Sequence, residues 1–359
     1  MKFPTGRVIA AAAMLGPLVW AQNTPEVNGN IVAAESRGAR ADAIQLLERA
    51  RNSYNLRSLG QPYDLRVSFT VNSNGQTSLD GSWQMEDVFD PKLGLRWTAN
   101  GPGGYAITRI HAGSMLFGAD TASYVPLRLH QARAALFDPL PPPSGMEHSS
   151  LRTSTLVYNG TRLTCVLLSD AKTPARGAPG RQWDESEECV DPDSGVLLVH
   201  SQAPGLYYAY DYSETAQLGD RALPRKVTVS EGGKVVMEIS VDSLTETPSA
   251  DAILFRPNRE MQARGRALAL GGAEKISRTL AGQPSSSGAM PAAVCVFGVV
   301  TADGKLMEAH SLEPADPNSG AAIADAEKID FSTPAPVGPS PAQHFVFVIE
   351  KFAGSAAKQ

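Results

Sequence analysis

The residues of this chain whose chemistry would show in their spacing are six histidines, three cysteines and a run of acids. His111, His130, His148, His200, His310 and His344 are scattered. No two stand at the three- or four-residue interval that brings two imidazoles to one metal, so no metal site is expected. There is no G-x-S-x-G elbow, no phosphate-binding loop and no dinucleotide glycine fingerprint. Ser169-Asp170-Ala171-Lys172 has the S-x-x-K spacing of a lysine-activated serine, but it closes an apolar segment into a Pro-rich loop instead of opening a helix. Asp184, Glu185, Glu187, Glu188, Asp191 and Asp193 crowd carboxylates together without the central glycine of a calcium loop, and they read as a solvated loop and hairpin face. The sequence therefore offers no catalytic constellation and implies no cofactor.

The cysteines carry a different chemistry. Cys165 and Cys189 sit in neighbouring apolar segments joined by a loop rich in Pro, Gly and charge. In an exported chain they are expected to form a disulfide, a constraint that contributes about 3 kcal/mol. Cys295 alternates with Val294, Val296 and Val299-Val300 and reads as an inert core thiol.

Export is expected from the first residues. Lys2 and Arg7 precede an apolar run, 8–20, that is too short for a stable bilayer span, and Val19-Trp20-Ala21 supplies a cleavage site after Ala21. Retention of the run as an anchor is the competing reading. Of the 359 residues, with formal charge −5, no later segment has the length of a span and no basic cluster appears, so neither nucleic acid nor an anionic membrane face is an expected partner. The expected location is the periplasm or the exterior.

These residues must be positioned by a mostly antiparallel β fold. Residues 22–37 are polar and aperiodic, a leader. An amphipathic helix follows over 41–54, with Ile44, Leu47, Ala50 and Tyr54 on one face. Tyr63, Leu65, Val67, Phe69 and Val71 alternate strictly; a turn at 72–75 leads to Leu79, Gly81, Trp83 and Met85, which alternate again. Further short strands are expected at 93–98, 105–111 and 114–118, then a helix at 127–136 stopped by the prolines of 139–143. Strands resume at 154–158, 162–169, 188–200, 206–212, 225–230 and 235–243. Residues 260–290 lose the β pattern and end in Gln283-Pro284-Ser285-Ser286-Ser287-Gly288, the chemistry of a linker. A compact unit closes the chain: strand 293–301, turn, strand 305–311, helix 319–328, Pro-rich loop, strand 344–352, before a tail at 354–359.

Two resemblances cover most of the chain. The order of Gly81-Ser82-Trp83, Leu93-Gly94-Leu95-Arg96-Trp97, Tyr158-Asn159-Gly160, Glu188-Cys189-Val190-Asp191, Leu223-Pro224-Arg225-Lys226 and Phe255-Arg256-Pro257 makes 38–259 resemble the LolA-like lipoprotein carrier and sorting family. That implies α+β architecture: a curved, unclosed antiparallel barrel capped by helices around an apolar groove. Val299-Val300-Thr301-Ala302-Asp303-Gly304-Lys305-Leu306, Ala321-Ala322, then Ile329-Asp330-Phe331-Ser332-Thr333-Pro334-Ala335, Gly338 and Phe347-Val348-Ile349 make 291–353 resemble the C-terminal domain of the TonB family, a ββαβ unit, with Ile329 where that family has Trp.

The first resemblance implies a carrier for a lipid or other apolar ligand. Its groove would be lined by Leu65, Val67, Phe69, Trp83 and Trp97, with the two helices across the mouth. The second implies strand-edge binding to an outer-membrane or envelope protein. A scaffold whose β domain is filled by its own side chains is the other expectation, because alternation alone also produces a packed core. The aromatics Tyr105, Tyr207, Tyr208, Tyr210 and Tyr212 fit a ligand groove or ordinary sheet packing equally.

Overall fold

A computed structural model describes residues 31–33, 36–73, 79–142, 146, 148–170, 180–248, 250–280, 293–331 and 342–352. The expected signal segment, 1–21, lies outside them. So do residues 74–78 in the turn after Val71, Lys172 of the S-x-x-K pattern and the serine-rich stretch 283–288.

Among the described residues, thirteen strands form one antiparallel sheet, in the order β1-β7-β8-β9-β10-β11-β12-β13-β2-β3-β4-β5-β6, which includes β5 (Ala106–Ala112), β6 (Met115–Asp120), β8 (Thr161–Ser169), β11 (Leu206–Leu218) and β12 (Arg221–Glu231) and has β1 and β6 at its edges. The sheet is unclosed, as expected. β2 (Tyr63–Val71) shows why such strands form: every odd position is buried and every even one is not, so a single face carries the apolar load. β13 (Lys234–Glu246) pairs along one side of β2 and β3 (Gly81–Asp90) along the other, which puts β2 in mid-sheet. β1 (Val32–Ala33) pairs with β7 (Ser150–Tyr158), so part of the expected leader is strand.

Two helices lie against the buried face. α1 (Arg37–Tyr54) starts where Ser36 Oγ accepts from the Ala39 amide at 3.1 Å, and buries Ala43, Leu46, Leu47, Ala50 and Tyr54 at helical spacing. α2 (Leu127–Phe137) follows Pro126 and is buried on almost all sides, Arg128, His130 and Arg133 included. A helix buried this fully must find partners for its polar groups inside the protein.

Most of those partners come from the large sheet, where Arg128 pairs with Glu231 and Arg133 with Asp87, while His130 meets the Gly271 carbonyl of a second sheet, in the order β14-β17-β15-β16. β15 (Ala293–Val300) and β16 (Leu306–Ser311) form a hairpin, a short helix (Ser319–Ala326) follows, and β17 (Gln343–Phe352) returns antiparallel to β15. This is the expected ββαβ order. The fourth strand is a correction. β14 (Leu270–Leu280) lies inside the stretch read as a linker and pairs in parallel along β17. It escaped notice because Gly271, Gly272 and Ala273 give it no apolar period.

The second sheet is docked on the first. All eight residues of β15 are buried. Ala293, Cys295, Phe297 and Val299 join the core of the large sheet, while Val294, Val296 and Val300 pack with Ala322 and Ala326 of the Ser319–Ala326 helix. Polar contacts tie the halves together. The Gln343 side chain accepts from Val125 N at 2.8 Å and donates to Val125 O at 2.6 Å. Glu308 accepts from Leu127 N at 2.9 Å, at the amino end of α2 where a carboxylate is favoured. The β12–β13 turn approaches so closely that a Cβ on Gly232, at φ +53°, would sit 3.0 Å from the Leu312 carbonyl oxygen.

Candidate functional site

Between the two sheets lies a cavity of about 1310 Å³, larger than the few hundred to a thousand that hold a drug-sized molecule. The end of α1 and the 3-10 turn Leu56–Leu59 bring Arg51 and Arg57 to it. α2 brings Arg133, Phe137 and Asp138; β4 (Gly94–Asn100) brings Leu95 and Trp97. β9 (Ser186–Val190) and β10 (Leu197–Ala203) supply Glu188, His200 and Gln202. β14 forms the facing wall with Leu270, Gly271, Gly272 and Lys275, beside Phe345 of β17.

The expected lining is therefore corrected. Leu65, Val67, Phe69 and Trp83 face the same side of the sheet as the cavity, yet none of them lines it. They are closed off in packed core, with Phe69 and Trp83 stacked at 5.5 Å. Of the five expected residues only Trp97 lines the cavity. Tyr208 and Tyr210 are likewise core residues, hydrogen-bonded to Gln131 and to the Ala135 carbonyl. Alternation identifies the face that is buried, but not what fills it.

One end of the cavity is built on a buried acid. Asp87 accepts from the Tyr63 hydroxyl at 2.9 Å and from Arg133 Nη2 at 3.0 Å, and Arg57 Nη2 lies 3.5 Å away. Arg133 is held flat, 4.0 Å over the Trp97 ring and 4.8 Å over Phe137; Arg57 stands 4.9 Å from Phe137. Burial lowers Arg133 from its ordinary range despite the Asp87 carboxylate, and burial followed by Asp87 raises the Tyr63 phenol. Burial also pushes His130 down to about 3, so its imidazole is neutral where it meets the Gly271 carbonyl at 3.0 Å and stacks 3.9 Å from Phe345. At the other end, Glu188 is hydrogen-bonded to His200 at 2.5 Å. Burial brings Lys275 down to about 8, and its ammonium donates to the Asp184 carbonyl at 3.0 Å.

Several buried polar atoms around this cavity have no hydrogen-bond partner among the described residues: Arg51 Nη1, Arg57 Nε, His130 Nδ1, Glu188 Oε1 and Gln202 Oε1. Folded proteins leave few such atoms, and these five gather on side chains around one cavity.

The acidic run is a solvated face only in part: Asp193 is exposed in the hairpin turn, with Asp191 half-buried beside it, but its middle is buried. Glu185 pairs with Arg152 at 2.5 Å, Glu187 with Arg181 at 3.2 Å and Glu188 with His200, and all three acids are buried. β9 is covered on both sides, so each of these carboxylates requires a cationic or hydrogen-bonding partner. Cys165 and Cys189 lie directly opposite each other in the β8–β9 register and are joined, as expected, while Cys295 is a buried free thiol. Glu187 lies near both bridged sulfurs, but disulfide sulfurs are not the thiolates a metal would take. Ser169 of the S-x-x-K pattern hydrogen-bonds Asp184.

No protein-family model matches the chain, and no curated protein sequence matches it. Among solved structures it is similar to members of the LolA superfamily. One, from Nitrosomonas europaea, is 8% identical, with 59% of this chain and 96% of that chain covered, at a TM-score of 0.36. A putative outer membrane lipoprotein-sorting protein domain from Vibrio parahaemolyticus is 10% identical, with 60% and 100% covered, at 0.35. The MucA/MucB complex of Pseudomonas aeruginosa matches at 12% identity, with 64% of each chain covered, at 0.27. Among the described residues, no helix is long and apolar enough to cross a membrane.

Proposed function

We propose that the protein is a non-catalytic binding or carrier protein of the bacterial envelope, exported by its first 21 residues, that takes the apolar part of a lipid-like ligand into the cavity between its sheets. The observation that carries this reading is the cavity itself: about 1310 Å³, with Leu95, Trp97, Phe137, Leu270 and Phe345 in its walls. Burial of an alkyl chain contributes about 0.8 kcal/mol per methylene, so eight or more methylenes in such a space give useful affinity without any chemistry. Mass spectrometry of lipids that co-purify with the exported protein tests it. A stoichiometric amphiphile is the expected result, and a protein that emerges free of lipid and fails to take up an added fatty acid contradicts it.

A second reading concerns the four-stranded sheet. Its resemblance to a TonB C-terminal domain suggests strand-edge binding to an envelope protein, and the pairing of β14 along β17 supports it, because the β17 edge accepts an added strand. Here that strand is the chain's own. A partner would add at β16 or β14, or would displace β14. Hydrogen exchange of the β16 and β14 amides with and without envelope extract separates this reading from the first.

A further inference from the structure

We infer that the ligand of the cavity is an anionic amphipath, its acidic head held by Arg57 and Arg51 beside Arg133 and its tail lying along the apolar walls. This rests on the binding-protein reading above and adds the chemistry of the head.

The charges at this end of the cavity do not balance. Arg57, Arg133 and Arg51 face two carboxylates, Asp87 and Asp138. Asp87 is fully buried and already serves both guanidiniums and the Tyr63 hydroxyl, so it has no capacity for more. A guanidinium keeps its proton in any protein environment, so the surplus positive charge cannot be removed by titration. The geometry repeats the point. Arg57 Nη2 is turned to Asp87, whereas Arg57 Nε and Arg51 Nη1 are buried atoms without a hydrogen-bond acceptor among the described residues, on side chains that line the cavity. A guanidinium fork with a donor left free takes a carboxylate or phosphate oxygen on a charge-assisted hydrogen bond.

The fork also stands at the apolar wall. Phe137 lies under both Arg57 and Arg133, and Trp97 under Arg133. A head bound here leads its tail past Leu95 and Leu140 towards Leu270 and Phe345 across the cavity. The acids that line the rest of the cavity are each engaged, Glu188 by His200, Glu274 by His344, and Asp184 and Asp170 by the Ser169 and Ser149 hydroxyls, and Lys275 lies among them. A cationic head would leave the guanidinium donors unanswered, and a neutral hydroxyl would accept from one of them without balancing the charge.

Calorimetry on the exported protein, with every amphiphile kept below its micelle concentration, distinguishes the possibilities. Dodecyl phosphate and dodecanoate are expected to bind at least tenfold tighter than dodecanol, with dodecyltrimethylammonium weakest and inorganic phosphate alone much weaker than dodecyl phosphate. Arg57→Gln is expected to erase the preference for anions, so that dodecanoate and dodecanol bind alike. Arg51→Gln, which breaks no ion pair among the described residues, is expected to reduce it severalfold and serves should Arg57→Gln fail to fold. Equal affinity for dodecanol and dodecanoate in the unaltered protein overturns the inference while leaving the binding reading intact. So does a preference for the ammonium, or an anion preference untouched in both variants. Phosphate binding as tightly as dodecyl phosphate points to a small-anion site and overturns it too. If none of the four tailed amphiphiles binds, the binding reading fails and this inference fails with it.

Discussion

Arg128 of α2 and Glu231 at the β12–β13 turn, 103 positions apart in the chain, form a buried ion pair with Nη2 and Oε2 2.9 Å apart. His310 of β16 closes on the same Oε2 at 2.8 Å, and Gln131 joins Arg128 to the Tyr208 hydroxyl. One carboxylate thus holds a helix, the large sheet and the second sheet together. Burial alone would raise the Glu231 carboxyl, but Arg128 and His310 outweigh it and hold it well below the usual carboxylate range. The stability this contributes is present above the unfolded-state value, about 4.3, and is lost as pH falls below it towards the folded-state value. Urea unfolding between pH 6 and pH 3 should show a steeper loss in the natural protein than in Glu231→Gln. The variant should itself be weaker by about 3 kcal/mol at pH 6, as when one partner of a buried pair is removed. Parallel pH profiles for the two would contradict the assignment.

Docking of the second sheet should make the chain unfold as one unit. Phe345 is buried, stacks on His130 of α2 and packs against Phe297. Phe345→Ala should cost about 3 to 5 kcal/mol and shift a single calorimetric transition downwards. Two transitions, only one of them moved, would mean that the halves fold independently, as the sequence alone had suggested.

Much of the architecture was legible in the residues. The strict alternation of Tyr63–Val71 became β2 without a shift of one position, because a half-buried strand in mid-sheet obeys only the period of two. The 127–136 helix, the Asp303-Gly304 hairpin and the strand around Cys165 appeared where they were expected, whereas the single strand expected at 188–200 is two, β9 and β10, folded back on each other around a turn at 191–196. The cavity was not legible. Its floor is made by α2 and its far wall by β14, whose glycines and parallel pairing leave no mark in the pattern. Arg51, Arg57 and Arg133 come from three elements, and no spacing in the sequence links them. Only the docking of β14–β17 turns Trp97 into a cavity residue and leaves Phe69 in core.

The disulfide should stabilise without being essential to the fold. It joins two strands already paired across β8 and β9, and closes a separation of 24 residues. Its reduction should lower stability by about 3 kcal/mol in urea titration, with native far-ultraviolet dichroism retained. Burial pushes the Cys295 thiol up to about 12, so a thiol reagent should find no reactive group in the folded, oxidised protein and one after unfolding. Three thiols without reductant would contradict the bridge.

The central claim is that the space between the sheets takes an apolar-tailed ligand. Gly272 of β14 lines that space, and a Cβ built there meets no atom within 4 Å, so tryptophan can be introduced without a backbone clash and its indole would occupy part of the volume. The decisive measurement is a fluorescence titration of 11-(dansylamino)undecanoic acid into the exported protein and into Gly272→Trp, with melting temperature as the control for folding. Saturable binding at one site per chain, weakened at least tenfold in the variant at an unchanged melting temperature, is the predicted result. Absence of saturable binding to the unaltered protein, or equal binding by both, would contradict it.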